Sequence, residues 1–189
     1  MAFIWERSVG YAVHLHAHQK RKVTTVPYIS HLLAVTALVL EDGVSEDEAI
    51  AALLHDAIED QGGDPTRQEI RRRFGDKVVE IVNGCTDTDQ NPKPPWLERK
   101  MQYLEHLRGA SAEVLRVSAA DKLHNARTVL SDFRRHGEAV WGRFNGGQDG
   151  TLWYYRQLVP IFRERSDSFL VEELDRVVSE LERLVGKVG

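Results

Sequence analysis

The chain of 189 residues has a hydrophobic fraction of 42% and a formal net charge of −4. This length and composition predict one domain with a substantial core. The acidic balance argues against a protein that binds nucleic acid by electrostatic attraction. The single cysteine, Cys85, excludes an intrachain disulfide framework.

The N-terminal stretch MAFIWERSVGYAVHLHAHQKRK has no basic region ahead of an apolar run, so we expect no signal peptide. No segment approaches the roughly 20 apolar residues of a membrane-spanning helix. A lone cysteine fits a reducing compartment. We therefore expect a cytoplasmic protein that uses neither nucleic acid nor membrane as a partner. The sequence leaves its oligomeric state open.

The first half of the chain repeats its apolar residues at a spacing of three or four, which is typical of helices. Ser45 with Glu48, and Thr66 with Glu69, have the spacing of a capping box, in which the hydroxyl and the acidic side chain satisfy each other's backbone donors. The predicted helices cover residues 5–18, 28–42, 46–60, 67–74 and 76–85.

The second half contains two predicted loops. TDTDQNPKPP, residues 86–95, is polar and rich in proline, and FNGGQDG, residues 144–150, predicts a flexible connection. Helices are predicted over 95–107, from the cap residue Ser111 to Gly137, and over 152–164 and 167–185. Because no alternating strand pattern of useful length occurs, the predicted fold class is all-α, with a single domain over residues 1–189.

The stretch AALLHDAIEDQ, residues 51–61, places a histidine and three carboxylates at the end of an apolar helix. On an ideal helix, Asp56, Glu59 and Asp60 lie about 100°, 40° and 140° from His55. The four polar side chains therefore form one patch beside the apolar stripe. This patch either faces solvent or lines a binding cleft.

Histidine and aspartate are common ligands of divalent first-row metals. His55 and Asp56 diverge by about 100° on a helix, so other helices must complete any metal site. His31 precedes an apolar run, and Asp121 follows small and apolar residues, where a carboxylate is costly to bury without a cation or hydrogen bonds. Taken singly, His31 also fits a buried core histidine, and Asp121 fits a structural ion pair.

A second group of histidines, His14, His16 and His18, also looks like a metal-binding tract. On a helix, however, His14 and His18 align while His16 points away. This alternation argues against a shared catalytic metal.

His31, the pair His55-Asp56 and Asp121 follow the order H…HD…D, which resembles the HD-domain metal-dependent phosphohydrolases. The blocks QKRKVTTVPYISH, AALLHDAIED and AADKLHNAR resemble the hydrolase domain of the RelA/SpoT alarmone enzymes. Over residues 8–165 the chain is most similar to the Mesh1-type small alarmone hydrolases. The resemblance implies one bundle of about eight to ten helices with the metal site in a central cleft, followed by C-terminal helices over 167–185.

The resemblance also implies roles for individual residues. One metal ion per chain, usually Mn2+ although other divalent metals also fit, would be held by His31, His55, Asp56 and Asp121. Glu59 and Asp60 match the acidic pair that handles the nucleophilic water. The positions that match substrate contacts are Arg21, Lys22, Lys100, Asn125, Arg127 and Tyr154, with Tyr155 as the alternative to Tyr154.

The activity that the resemblance implies is manganese-dependent hydrolysis of the 3′-pyrophosphate of (p)ppGpp, an alarmone of the stringent response, to GDP or GTP and pyrophosphate. Two alternatives stay open. The same site would suit the 2′-phosphate of NADPH or the 5′-phosphate of a deoxynucleotide, and the chain could be a non-catalytic nucleotide sensor. One departure is the loop VTTVPYISH, which lacks the glycine that the family often has before its Y-I-x-H sequence.

Overall fold

The computed structural model describes residues 2–90 and 92–186. The chain divides into two compact units, Met1–Lys93 and Pro94–Gly189. Within the described residues, helices and turns account for the regular structure, and the one β-type pairing is an isolated bridge between Lys20 and Pro27. The predicted all-α fold class is confirmed, whereas the single domain over residues 1–189 stays a prediction.

The first unit is built around one short buried helix, α3, which packs against α1, α2 and α6. Residues 49–54 of α3 are almost completely buried, because alanines and leucines cover its whole circumference there. The helices of this unit are α1 (Ala2–Leu15), α2 (Ile29–Glu41), α3 (Glu46–Leu54), α4 (Ala57–Asp60), α5 (Asp64–Phe74) and α6 (Asp76–Cys85).

Helix α3 begins with the predicted capping box. The Glu48 amide donates to the Ser45 hydroxyl, and the Ser45 amide donates to the Glu48 carboxylate. The predicted continuous helix over 46–60 is wrong, because α3 ends at Leu54 and α4 begins at Ala57. Asp56 between them has φ −96° and ψ −1°, which is far enough from helical values to offset the two segments.

The second predicted capping box, Thr66 with Glu69, is also wrong. Helix α5 begins at Asp64, with Pro65 in its first turn, so Thr66 lies inside the helix rather than before it. The Thr66 hydroxyl donates to the Gln61 carbonyl instead, and Glu69 accepts from arginines one turn later. Proline is favoured at a helix start because its missing N–H is not needed there.

The second unit has the long helix α8 at its centre, packed against α9, α10 and the 3₁₀ helix. Its predicted ends are confirmed: the Ser111 hydroxyl accepts from the Val114 amide, and Gly137 closes the helix with φ 57°. The elements are α7 (Trp96–Gly109), α8 (Ala112–His136), the 3₁₀ helix (Gly137–Arg143), α9 (Gly147–Arg165) and α10 (Phe169–Val185). None of the helices in residues 2–90 and 92–186 combines the length and the apolar character needed to cross a membrane.

The predicted flexible loop over residues 144–150 is partly wrong, because α9 already begins at Gly147. The glycines serve close packing. The indole of Trp96 lies so near Gly146 that an added Cβ would be 2.7 Å from its ring, and one on Gly150 would be 3.1 Å from it. The sequence pattern shows the glycines but not the aromatic ring that lies on them.

We predict that Gly146→Ala lowers the free energy of unfolding by about 1–3 kcal/mol, because the new methyl group overlaps the Trp96 ring. Gly146 has φ −83°, so the backbone itself accepts alanine. The matched control is Gly142→Ala, where an added Cβ meets no heavy atom within 4 Å. Urea unfolding measures both variants, and equal stability of the two would contradict the packing explanation.

Candidate functional site

Three side chains of the first unit converge on one point. His31, His55 and Asp56 each offer one ligand atom, and these atoms lie within 4.8 Å of one another. Both histidines are buried, with 1% and 2% of their surface exposed, while Asp56 is half-buried. Two imidazole nitrogens and a carboxylate oxygen are a donor set that suits a divalent first-row metal.

The two histidines are oriented by the ends of their helices. The His55 Nδ1 lies 2.7 Å from the Ala52 carbonyl oxygen, which fixes Nε2 as the nitrogen that faces Asp56 at 3.0 Å. His31 lies in the first turn of α2, and its ring meets that of His55 edge-on at 5.2 Å. A carbonyl that holds the far nitrogen of an imidazole is typical of metal-binding histidines.

Asp56 is held by two groups besides His55. Its Oδ2 lies 3.5 Å from the His31 Nε2 and accepts a hydrogen bond of 2.6 Å from the Tyr28 hydroxyl. The break between α3 and α4 allows this carboxylate to lie beside His55, although neighbours on a regular helix diverge by about 100°. The structure therefore brings together three of the four predicted metal ligands within this unit.

The acidic pair lies on α4, directly after this cluster. The Glu59 carboxylate accepts from the Lys93 ammonium at 2.7 Å and from the Asp87 amide at 3.3 Å. The Asp60 side chain keeps 25% of its surface exposed and accepts from the Gln19 amide at 2.8 Å. Burial, and next the negative charge of Asp56, raise the pKa of Asp60.

Lys93 belongs to the site although sequence reasoning missed it. Its ammonium lies 2.7 Å from a Glu59 oxygen and 3.8 Å from an Asp60 oxygen, so one cation contacts both acids. Lys93 is 34 positions from Glu59 in the chain, within the predicted loop TDTDQNPKPP. Its charge was visible in the sequence, but no periodicity relates a loop lysine to a distant helix.

The basic pair Arg21 and Lys22 lies in the turn that joins α1 to α2. The Arg21 guanidinium lies 5.9 Å from the centroid of the Tyr28 ring, and the hydroxyl of that ring contacts Asp56. The next residue, Val23, has φ 57°, a left-handed conformation that a branched side chain adopts only under strain. This strained residue lies directly after the predicted substrate contacts Arg21 and Lys22.

The predicted helix over residues 5–18 is wrong at its end, because α1 stops at Leu15 and His16 and His18 lie in the following turn. His14 and His18 are exposed, whereas His16 is 2% exposed and stacks on the Tyr28 ring at 5.4 Å. Burial lowers the pKa of His16, with the Gln19 hydrogen bond acting in the opposite direction. The three histidines therefore do not form one cluster.

In the second unit, Asp121 is buried on α8, with 6% of its surface exposed. Its carboxylate accepts from the Lys122 ammonium and from the Asn125 amide. Burial is the largest single influence on the pKa of Lys122 and would lower it, but the charge and hydrogen bond of Asp121, together with Tyr154 and Tyr103, raise that pKa well above its usual value. The structural ion pair considered for Asp121 is thus present, and its metal role stays a prediction.

The other predicted substrate contacts of this unit fall into two groups. The Lys100 ammonium lies 5.1 Å from the centroid of the Tyr154 ring, and Tyr154 is 7% exposed. Arg127 contacts Glu173 of α10 at 3.5 Å. Arg127 follows Asp121 by six positions, so the two side chains leave α8 about 120° apart. The structure pairs Lys100 with Tyr154 and Asp121 with Asn125, but turns Arg127 to another face.

Comparison with known proteins identifies the family. Residues 8–152 match the family model described as HD domain. The chain is 30% identical, over 203 aligned positions, to a guanosine-3′,5′-bis(diphosphate) 3′-pyrophosphohydrolase of Aquifex aeolicus (strain VF5), covering 95% of this chain and 27% of that protein. It is 38% identical over 125 positions to the guanosine-3′,5′-bis(diphosphate) 3′-pyrophosphohydrolase MESH1 of Xenopus tropicalis, covering 65% of this chain and 67% of that protein.

Two solved structures have a similar fold. A metazoan ortholog of SpoT, described as hydrolysing ppGpp, matches with a TM-score of 0.77 at 23% identity, covering 94% of this chain and 95% of that one. A protein from Listeria monocytogenes EGD-e matches with a TM-score of 0.69 at 30% identity, covering 80% of this chain and 97% of that one. The HD-domain match spans the clustered His31, His55 and Asp56, and the chain belongs to the HD-domain family.

Proposed function

We propose that this chain is a divalent-metal-dependent hydrolase that removes the 3′-pyrophosphate of (p)ppGpp, with pyrophosphate and GDP or GTP as products. The observation that carries the proposal is the juxtaposition on the first unit of a metal-type cluster, His31, His55 and Asp56, with two further carboxylates one turn later. The names of the Aquifex and Xenopus relatives support the choice of substrate. We propose Mn2+ as the preferred metal.

The proposed ligands are the His31 and His55 imidazoles and the Asp56 carboxylate, with Asp121 as the fourth. The first three fit because their donor atoms already converge and because a carbonyl fixes the His55 ring. The chemistry that a divalent ion supplies when bound is the activation of water and the polarisation of a phosphoryl oxygen.

Glu59 is the proposed base that accepts a proton from the attacking water. Its carboxylate follows His55 by four residues, and only 17% of its surface is exposed. Lys93 and the Asp87 amide each bind a different carboxylate oxygen, so the group is held in one orientation. Asp60 is proposed to orient the water from the neighbouring position. Positioned carboxylates of this kind typically contribute factors of about 10²–10⁴ to a rate.

Arg21 and Lys22 are the proposed cations for the substrate phosphates on the first unit. Arginine suits phosphate because its planar guanidinium donates two parallel hydrogen bonds. The Tyr28 ring supports this role, since it lies beneath Arg21 and contacts Asp56 through its hydroxyl. We propose that Lys100, Asn125 and Tyr154 of the second unit contact the remainder of the nucleotide, with Tyr155 as the alternative to Tyr154. Arg127 would have to leave its ion pair with Glu173 to join them.

We predict that the purified protein with Mn2+ releases pyrophosphate from ppGpp. We further predict that Glu59→Gln lowers kcat by about 10²–10⁴-fold, because the amide cannot accept the proton. The matched control is Glu80→Gln, an identical change at an exposed position of α6, which should leave turnover close to that of the wild type.

Separate assays for pyrophosphate and for free phosphate identify the bond that is cleaved. Release of free phosphate alone, or activity only on NADPH or deoxynucleotides, would contradict the proposed substrate. Full activity of Glu59→Gln beside an active wild type would contradict the role of Glu59.

We predict that His31→Ala lowers the amount of Mn2+ bound per chain, because it removes one of three convergent donors. Asp121→Ala should do the same if Asp121 is the fourth ligand. His14→Ala, at an exposed histidine, is the control. Calorimetric titration with Mn2+ measures all three variants. Unchanged binding by His31→Ala would refute the metal site, and unchanged binding by Asp121→Ala would refute only the fourth ligand.

We predict that Arg21→Ala raises KM by about ten- to a hundredfold while kcat falls less, since a charged hydrogen bond to a bound phosphate is worth ~1.5–3 kcal/mol in both the ground and the transition state. Arg7→Ala, at an exposed position of α1, serves as the control. Steady-state kinetics separate the two constants. A loss confined to kcat would show that Arg21 acts on the transition state instead.

A further inference from the structure

A hydrogen-bonded group of polar side chains lies next to the acidic pair and is not used in the mechanism above. It consists of His16, Gln19 and Gln61, three residues of the turns that follow α1 and α4. The Gln19 amide donates to Asp60. His16 stacks on the Tyr28 ring, and the Tyr28 hydroxyl donates to Asp56. We propose that Gln19 is a positioning residue of Asp60 and that His16 fixes the orientation of Gln19.

The backbone of Gln19 is anchored on both sides. Its amide donates to the His16 carbonyl at 3.1 Å, and its own carbonyl accepts from the Tyr28 amide at 3.0 Å. The adjacent residue, Lys20, forms the isolated bridge with Pro27. These contacts fix the position from which the Gln19 side chain leaves the backbone.

The side-chain amide of Gln19 has three partners, and they determine the placement of its nitrogen and its oxygen. Its Nε2 donates to an Asp60 carboxylate oxygen at 2.8 Å. Its Oε1 accepts from the Gln61 amide at 2.5 Å and lies 2.6 Å from the His16 Nδ1. Reversal of the amide would place its oxygen against the Asp60 carboxylate, which has no proton to donate when ionised. The carboxylate therefore selects the observed orientation.

The state of His16 follows from these contacts. Because the Gln19 oxygen is an acceptor only, the His16 Nδ1 must carry the proton. The imidazole Nε2 is then an acceptor, and it is buried with no hydrogen-bond partner within the described part of the chain. The structure thus assigns His16 the Nδ1–H tautomer. Without the contact to Gln19, nothing among the described residues would select this tautomer over the other.

His16 also connects the group to the metal-type cluster. Its ring lies nearly parallel to that of Tyr28, at 18° and 5.4 Å, and the Tyr28 hydroxyl donates to Asp56. One buried imidazole therefore supports the partners of two carboxylates, Asp60 through Gln19 and Asp56 through Tyr28. Side chains that orient functional groups in this way often affect activity nearly as strongly as the groups themselves.

The activity test rests on the proposed function. We expect Gln19→Glu to lower kcat by about a hundredfold with little change in KM, because the carboxylate of Asp60 loses its donor and meets a like charge. Gln68→Glu is a closely matched control. Gln68 also donates its amide to a carboxylate, that of Asp64 at 2.9 Å, but it lies on the exposed face of α5. Gln19→Met, which has similar length and no charge, replaces Gln19→Glu if circular dichroism shows that the latter is unfolded.

A second pair of variants distinguishes positioning from simple structural support. Asparagine places its amide near the Nδ1 of the histidine it replaces, whereas glutamine places its amide near Nε2. We expect His16→Asn to keep a kcat about tenfold higher than that of His16→Gln, at similar thermal stability. Equal kcat values for these two variants, or a kcat of Gln19→Glu equal to that of Gln68→Glu, would overturn the proposal.

A third measurement does not depend on turnover. In ¹⁵N spectra of the wild type at neutral pH, we expect the Nδ1 of His16 to carry the proton and the Nε2 to be bare. The opposite tautomer, or a mixture of the two, would overturn the proposal even if the enzyme hydrolyses ppGpp. A protein with no activity on ppGpp would refute the proposed function, and the tautomer would then decide the positioning role by itself.

Discussion

The interruption of a buried helix at His55 and Asp56 is the constraint on which the site depends. On a continuous helix these neighbours would point about 100° apart, and one of them would have to leave the common point. With α3 ending at Leu54 and α4 beginning at Ala57, the His55 Nε2 and the Asp56 Oδ2 lie 3.0 Å apart. The same break sets the direction of α4 and hence of Glu59 and Asp60. Residues 49–54 of α3 are apolar on every side and buried. The break therefore lies at the end of a helix segment that neighbouring helices hold in place.

Clustered carboxylates repel one another. In the first unit, each of the three carboxylates of the candidate site is stabilised by a different donor. Asp56 accepts from the Tyr28 hydroxyl, Glu59 from the Lys93 ammonium and Asp60 from the Gln19 amide. The raised pKa of Asp60 shows that burial and the neighbouring charge of Asp56 outweigh its donor. Tyr28 and Gln19 come from the connection between α1 and α2, and Lys93 comes from the loop after α6. The loops of this unit therefore orient the charged groups that the helices bring together.

The helices were largely predictable from the sequence because apolar periodicity and capping are local properties. The box of Ser45 and Glu48 and the closure of α8 at Gly137 needed only a few neighbouring residues. The helix break at Asp56 was not predictable, because the periodic pattern continues through it. The early start of α9 was missed because the glycines there pack against Trp96, which lies about fifty positions away in the chain.

The candidate site was predictable to a similar extent. The order of His31, His55, Asp56 and Asp121 was recognisable, and the structure brings the first three together. Lys93 and Gln19 were not recognisable, since an isolated lysine or glutamine in a turn has no pattern that marks it. The left-handed backbone at Val23 was not predictable either, because a branched residue carries no signal for a conformation that favours glycine.

The most direct test of the account is to locate the metal itself. Crystals grown with Mn2+ should be measured at the manganese absorption edge, where anomalous scattering identifies the ion without reference to the protein coordinates. We predict one strong peak within coordination distance of the His31 Nε2, the His55 Nε2 and the Asp56 carboxylate. A fully loaded crystal whose manganese peak lies away from these three side chains would contradict it.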